Sequence, residues 1–199
     1  TQLVKLSRGG EDLRLSKRTG DIVALSDVID DVGPDATRFT FRLQSIDSQQ
    51  TFDLSLAASR AMDNPVFYSQ YAHARIASIG RKAAEAGFVR RPVAEVDLGL
   101  LNHPREVELL RTLFGGPLTV EVSCRERAPH RVTAWVRELA AAFHGFYHDC
   151  YVMGDGVSPE LTQARLWLVE GVRIGLVTGF ALLGVSAPDE MWVDEDEET

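Results

Sequence analysis

Two groups of side chains in this sequence have the types and spacing for work on a phosphate or a nucleobase. The first is Ser16-Lys17-Arg18, followed by Thr19-Gly20, in a polar loop between apolar segments. An ammonium point charge beside a planar guanidinium fork suits phosphate oxygens. Composition by itself favours a plain solvated loop. The second group is Tyr68, Tyr71, His73 and Arg75, spaced to share one helix. Rings and a guanidinium on one surface can stack on and clamp single-stranded bases, although periodicity alone favours core plus surface. His144 and His148 are four apart, hence on one helical face, but no third ligand accompanies them. They read as structural, as do His73, His103 and His130 singly. No Walker A, GxGxxG or GxSxG pattern occurs, and no metal site is expected.

These residues need elements to hold them. Leu3 to Leu6 reads as a short strand, Gly9-Gly10 as a turn, and Leu13-Arg14-Leu15 as the returning arm. Ser26 suits the N-cap of a helix to Val32; Gly33-Pro34 breaks it, and Asp35 starts another to about Leu43. Gln44 to Thr51 is polar and turn-like. Asn64-Pro65 then places an N-cap before a proline at the first helical position, predicting a helix to about Ala86 that stops at Gly87. On it Phe67, Tyr71, Ala74 and Ser78 share one stripe, with Tyr68 and Arg75 on its neighbour.

Phe88 to Gly99 reads as a loop and Pro104 to Phe114 as a short helix. Leu118 to Arg127 is undecided between helix and extended chain. Pro129 opens an amphipathic helix whose Val132, Trp135, Val136, Leu139, Phe143, Phe146, Tyr147 and Cys150 recur at helical spacing. Ser158-Pro159 starts a last helix, apolar almost all round and therefore central. Its Gly171, Gly175 and Gly179 each cost about 1 kcal/mol against alanine, which close packing on a neighbouring helix would offset.

The 199 residues carry 45% hydrophobic and 25% charged side chains, enough for a core without disulfides. Cys124 and Cys150 form no CxxC and are expected as small buried hydrophobes in a reducing compartment. No signal peptide is read at the start. Leu166 to Leu183 is interrupted by Glu170 and Arg173, so a buried helix is expected rather than a membrane span. The net charge of -8 is mostly local: Asp189 to Thr199 holds seven acids and no base. What remains is near neutral, which does not exclude a local basic face. The tail reads as solvated and disordered.

Taken together, several segments resemble arginyl-tRNA synthetases over nearly the whole chain. Arg14-Leu15-Ser16-Lys17-Arg18-Thr19-Gly20-Asp21 looks like that family's form of the class I signature loop, with Leu15 where Met is usual. Phe52-Asp53-Leu54 and the run Asn64 to Arg75 (NPVFYSQYAHAR) look like the start of its DALR-type anticodon-binding domain. Pro129 to Arg131, Phe143 to Cys150 and Leu182 to Met191 match again, in order and at family spacing.

The resemblance implies a mainly α fold, a helical bundle of the class I synthetase anticodon-binding type. Residues 1–55 would end a catalytic domain as a hairpin-and-helix remnant. Residues 56–191 would form the bundle and 192–199 an acidic tail. Lys17, with Ser16 and Arg18, would meet ATP phosphates. Tyr68, Tyr71 and Arg75 would lie on the tRNA-facing helix, and Tyr147 and Met191 would shape pockets for the anticodon loop. Arginine-specific tRNA is the implied partner, with a possible protein partner over 1–55, no membrane, no DNA and a cytoplasmic location. ATP with Mg2+ belongs to the full enzyme and no cofactor is expected for this chain alone. The sequence has no His-x-Gly-His loop, so it would support arginylation only with a Rossmann half. The alternative is a stand-alone synthetase-like paralogue, without charging activity, serving as an interaction or regulatory protein. Acids beyond Met191 would oppose phosphate.

Overall fold

A computed structural model of the chain describes residues 4–13 and 23–192. Ser16, Lys17, Arg18 and the acids from Asp194 onward lie outside the described residues. The chain enters on β1 (Val4–Arg8) and turns through Gly9 and Gly10 into β2 (Glu11–Asp12). Both glycines have positive φ, 60° and 84°, where a Cβ would be strained. The returning arm forms earlier than expected, pairing Glu11 with Arg8 and Asp12 with Ser7. Only Leu13 of the expected arm is described, and its N–H donates to the Leu6 carbonyl at 2.9 Å.

A third strand, β3 (Gln50–Asp53), lies parallel to β1, giving the order β2-β1-β3. Gln50 and Thr51 were expected in a polar turn. They pair instead because Phe52 beside them is fully buried and fixes the register. Asp53 then fastens three pieces together. Its carboxylate accepts from the N–H groups of Gly10 (3.0 Å) and Gly9 (3.3 Å), and from those of Ser55 (2.9 Å) and Leu56 (3.2 Å). The Gly10 bond leads in holding its pKa below the usual carboxylate value, against the opposing effect of burial. The last two bonds cap α3 (Leu54–Ala58).

α1 (Leu25–Val32) begins ahead of the expected Ser26 cap: Ala24 occupies the cap position and its N–H donates to Asp27 at 2.9 Å. Gly33, at φ 85°, separates it from α2 (Pro34–Thr40), which stops short of Leu43. The bundle consists of α4 (Pro65–Glu85), α5 (Pro104–Phe114), α6 (Gly116–Glu126), α7 (His130–Asp149) and α8 (Pro159–Leu183). The undecided 118–127 stretch is thus helical, ended by Arg127 in the left-handed region (φ 53°). α7 is central, packed on α4, α5, α6 and α8. Val136, Leu139, Phe143 and Phe146 of α7 and Val172, Leu176 and Phe180 of α8 are excluded from solvent.

α8 is long and apolar enough to cross a membrane by length and composition, and half of its apolar window is buried in this fold. Glu170 on it bonds Arg173 at 2.8 and 2.9 Å and meets Arg90 at 2.9 Å. Arg173 chiefly, with Arg90, holds the Glu170 carboxyl down at about 2, although burial opposes this. The α8 glycines admit side chains rather than a neighbouring backbone: Leu113 of α5 and Val136, Leu139 and Trp135 of α7 occupy the space a Cβ would need. Cys150 is buried as expected, but Cys124 is exposed on α6, where its neighbour Ser123 takes the inward position of that turn.

The piece before residue 55 is bonded to the bundle. The Asp35 carboxylate accepts from Gln70 Nε2 at 3.1 Å and from the Ser186 N–H at 3.1 Å. Arg38 donates to the Gly184 carbonyl at 3.1 Å.

Candidate functional site

The phase of α4 is set at its start. Asn64 Oδ1 accepts from the Val66 N–H at 3.2 Å, while Asn64 Nδ2 donates to the carbonyls of Ser59 (2.7 Å) and Ala57 (3.1 Å). With Pro65 next, the first turn is fixed and the three faces of the helix are assigned. Tyr68 turns towards α7. Tyr71 and Arg75 open to solvent beside the end of α7. Gln70, His73 and Arg81 face the chain that follows α8.

That chain is laid along α4 by hydrogen bonds. Gly184 ends α8 at φ 65°. Gln70 Nε2 then donates to the Ser186 carbonyl at 3.0 Å, and buried His73 Nδ1 to that of Pro188 at 3.0 Å. Arg81 Nη1 donates to the Asp189 carbonyl at 3.4 Å, and its Nη2 lies 3.8 Å from the Glu190 carboxylate. The segment therefore arrives at a defined place: Asp189 to Trp192 forms one wall of a cleft of about 460 Å³. Tyr71, Arg75 and Tyr147 form the other wall.

Arg75 is held between rings. Its guanidinium carbon is 4.5 Å from the centroid of Tyr71 and 4.9 Å from that of Tyr147. Each such contact is worth roughly 0.5–2 kcal/mol, depending on exposure. Behind it lies His144, whose pKa is pushed down to about 4, chiefly by burial, with the Arg75 charge adding and the Tyr68 carbonyl opposing. His144 is therefore neutral at pH 7, and its two contacts settle the tautomer. Nε2–H donates to the Tyr68 carbonyl at 3.1 Å, which leaves the Nδ1 lone pair to accept from Arg75 Nη1 at 3.4 Å.

The sequence-named residues thus divide. Tyr71, Arg75, Tyr147 and Met191 meet at one cleft. Tyr68 does not share it. Its half-buried ring packs on His144 at 4.5 Å between centroids and lines a neighbouring cleft with Asp63, Pro65 and Arg137. Burial lifts its phenol above the ordinary value, opposed by Arg75 and Arg137. His144 and His148 part company. His148 is 87% exposed and pairs with Asp149 at 2.6 Å, so the two share no ligand position. Among the described residues no group of His, Cys, Asp and Glu is placed to hold a metal.

The sequence reading missed two contributors. His144 was set aside as structural, yet it orients Arg75. Trp192 was seen only as chain beyond Met191, yet it lines the cleft at 70% exposure. The sequence spacing puts Arg75 on a stripe with Tyr68, and Tyr71 on the next one; the structure instead sets Arg75 over the Tyr71 ring four residues back. The facing segment was not legible, since only the fold brings residue 191 to residue 71.

Chemically, the cleft offers two tyrosine rings, an indole, a thioether, two guanidiniums and two carboxylates. Flat rings beside a fixed guanidinium fit unstacked nucleobases.

Known proteins match this chain in sequence and fold. An arginine–tRNA ligase of Geobacter metallireducens is 46% identical over 190 residues, covering 96% of this chain and 34% of that protein. One of Frankia alni is 47% identical over 194 residues, covering 96% and 35%. The chain spans about a third of the length of these curated relatives. Among solved structures, one from Campylobacter jejuni assigned as an arginyl-tRNA synthetase superposes with a TM-score of 0.81 at 31% identity, over 96% of this chain and 40% of that one. The Thermus thermophilus arginyl-tRNA synthetase shares the fold, with a TM-score of 0.67 at 24% identity over 94% and 34%. The model of the DALR anticodon binding domain matches residues 69–191, a span that begins on α4 and ends at the cleft wall. The chain belongs to the DALR anticodon-binding domain family.

Proposed function

We propose that this chain is the tRNA-binding portion of an arginine–tRNA ligase and that the Tyr71–Arg75–Tyr147–Met191 cleft receives the anticodon loop of arginine tRNA. One observation carries the reading: Arg75 is held between two rings at 4.5 and 4.9 Å, in a cleft that Met191 also lines. The relatives' names support the identity of the RNA. Tyr68 acts one step removed, its carbonyl fixing His144 and so Arg75. Residues 1–55 belong with a catalytic domain and 56–191 with the RNA-binding one. Arginylation, with ATP and Mg2+, is the work of the whole ligase in the cytoplasm. Ser16, Lys17 and Arg18, which the resemblance assigns to ATP, lie outside the described residues. The matching of 96% of the chain to charging enzymes favours this over a paralogue without charging activity.

The test is a titration of the full chain with an arginine tRNA transcript at two salt concentrations. Binding should weaken as salt rises, through counterion release. Arg75→Ala should cost about 1–3 kcal/mol, the range for losing a base clamp or stack. Unchanged affinity in a folded Arg75→Ala protein would reject the cleft as the site.

A further inference from the structure

We propose that Trp192 is a base-stacking residue that lines the cleft with Tyr71 and Tyr147 and takes one unstacked nucleobase of the bound RNA. The inference rests on the tRNA-binding reading and adds a base-contacting residue to it.

Three observations point the same way. First, Trp192 lines the cleft and leaves 70% of its surface in water, although indole is among the side chains that gain most from being covered. Second, the chain is tethered to α4 up to two residues before it. His73 holds the Pro188 carbonyl, and Arg81 holds the Asp189 carbonyl and meets the Glu190 carboxylate. A ring two residues beyond such a tether gives up less freedom on binding than one on a free chain end. Third, the charge in the cleft selects what enters. Arg75 and Arg81 are balanced by Asp189 and Glu190. A phosphate gains little from a cleft with two carboxylates in its wall. A base is neutral, flat and rich in hydrogen-bonding groups, and it suits rings, donors and acceptors together. Stacking is tolerant of base identity because every base has a π face. The carboxylates, which only accept hydrogen bonds, favour a base carrying an amino group.

The experiment uses the full chain and an arginine tRNA transcript. Trp192→Leu keeps apolar bulk and removes the stacking ring, and should weaken binding by roughly 5- to 150-fold. Trp192→Phe should stay within roughly 3-fold of the parent. Transcripts each carrying one abasic nucleotide in the anticodon loop then locate the contact. At one position the Trp192→Leu loss should vanish, because the base it stacked on is gone. Equal affinity of Trp192→Leu and parent, or the same loss on every abasic transcript, overturns the proposal. If Arg75→Ala weakens binding and Trp192→Leu does not, this inference alone falls. If the parent chain binds no tRNA, the functional reading falls and takes this one with it.

Discussion

Two glycines in helix interiors should respond to alanine with opposite signs. Gly80 lies on α4 with nothing within 4 Å of where a Cβ would stand. Gly179 lies on α8 against α7, where the same Cβ would overlap Val136 Cγ2 and come within 3.3 Å of Trp135 Cζ3. Alanine gains about 1 kcal/mol of helix propensity at either place. At Gly80 that gain stands alone. At Gly179 it meets an overpacking cost of about 1–3 kcal/mol, because Val136 is fully buried and Trp135 is tied by its indole N–H to the Thr112 carbonyl at 2.8 Å. The larger cost should prevail, since neither neighbour can step aside without moving α5 or α7. Gly80→Ala is therefore expected to stabilise by up to about 1 kcal/mol, and Gly179→Ala to destabilise by up to about 2 kcal/mol. For a chain of this size each kcal/mol moves Tm by about 2–4 °C. Thermal melts of the two variants should thus fall on opposite sides of the parent. A Gly179→Ala melt that rises as far as that of Gly80→Ala would refute the close α7–α8 packing.

Other perturbations test other parts of the structure. Glu106 is buried at 1% exposure and serves two partners: it accepts from Arg165 Nε at 2.7 Å and caps α5 by accepting from the His103 N–H at 2.9 Å. Glu106→Ala leaves Arg165 without its charge partner and should cost about 3–5 kcal/mol in denaturant titration; a loss below about 1 kcal/mol would contradict the burial of the pair. His144 gives a pH signature. Its folded pKa of about 4 lies below the unfolded value near 6.5, so the unfolded chain takes up the proton first as pH falls. Stability due to neutral His144 is complete above about pH 6.5 and is lost as pH falls towards 4. His144→Gln should flatten the stability profile in that window, and an unchanged slope would argue against a buried neutral imidazole.

Local signals in the sequence placed the bundle well. Asn64-Pro65, Ser158-Pro159 and Gly184 carry their boundary geometry in two or three residues, so α4 and α8 begin or end where caps and prolines dictate. α7 was legible because its apolar spacing is one-sided. Non-local pairing was hidden. β3 has four residues, and only its parallel contact with β1 distinguishes it from a turn. The undecided 118–127 stretch has weak amphipathicity and a left-handed stop at Arg127 instead of glycine. The candidate site divides likewise. Tyr71 and Arg75 share a helix, but the stripes drawn by counting set Arg75 with Tyr68 rather than with Tyr71. Tyr147, Met191 and Trp192 reach them only through the α4–α7 packing and the hydrogen bonds of Gln70, His73 and Arg81. Tyr68 looked equivalent to Tyr71 by type and proximity, but three residues of helical rotation turn it into the neighbouring cleft.

The most direct test compares two transcripts on the unaltered chain: arginine tRNA, and the same tRNA with its anticodon loop replaced by that of another tRNA. Backbone charge, length and fold are then equal, and only the bases offered to the cleft differ. Rings and a clamped guanidinium that read the loop should lose about 1–3 kcal/mol on the replaced transcript, a roughly 5- to 150-fold weaker Kd. Equal affinity for both would show that the Tyr71–Arg75–Tyr147–Met191 cleft does not read the anticodon.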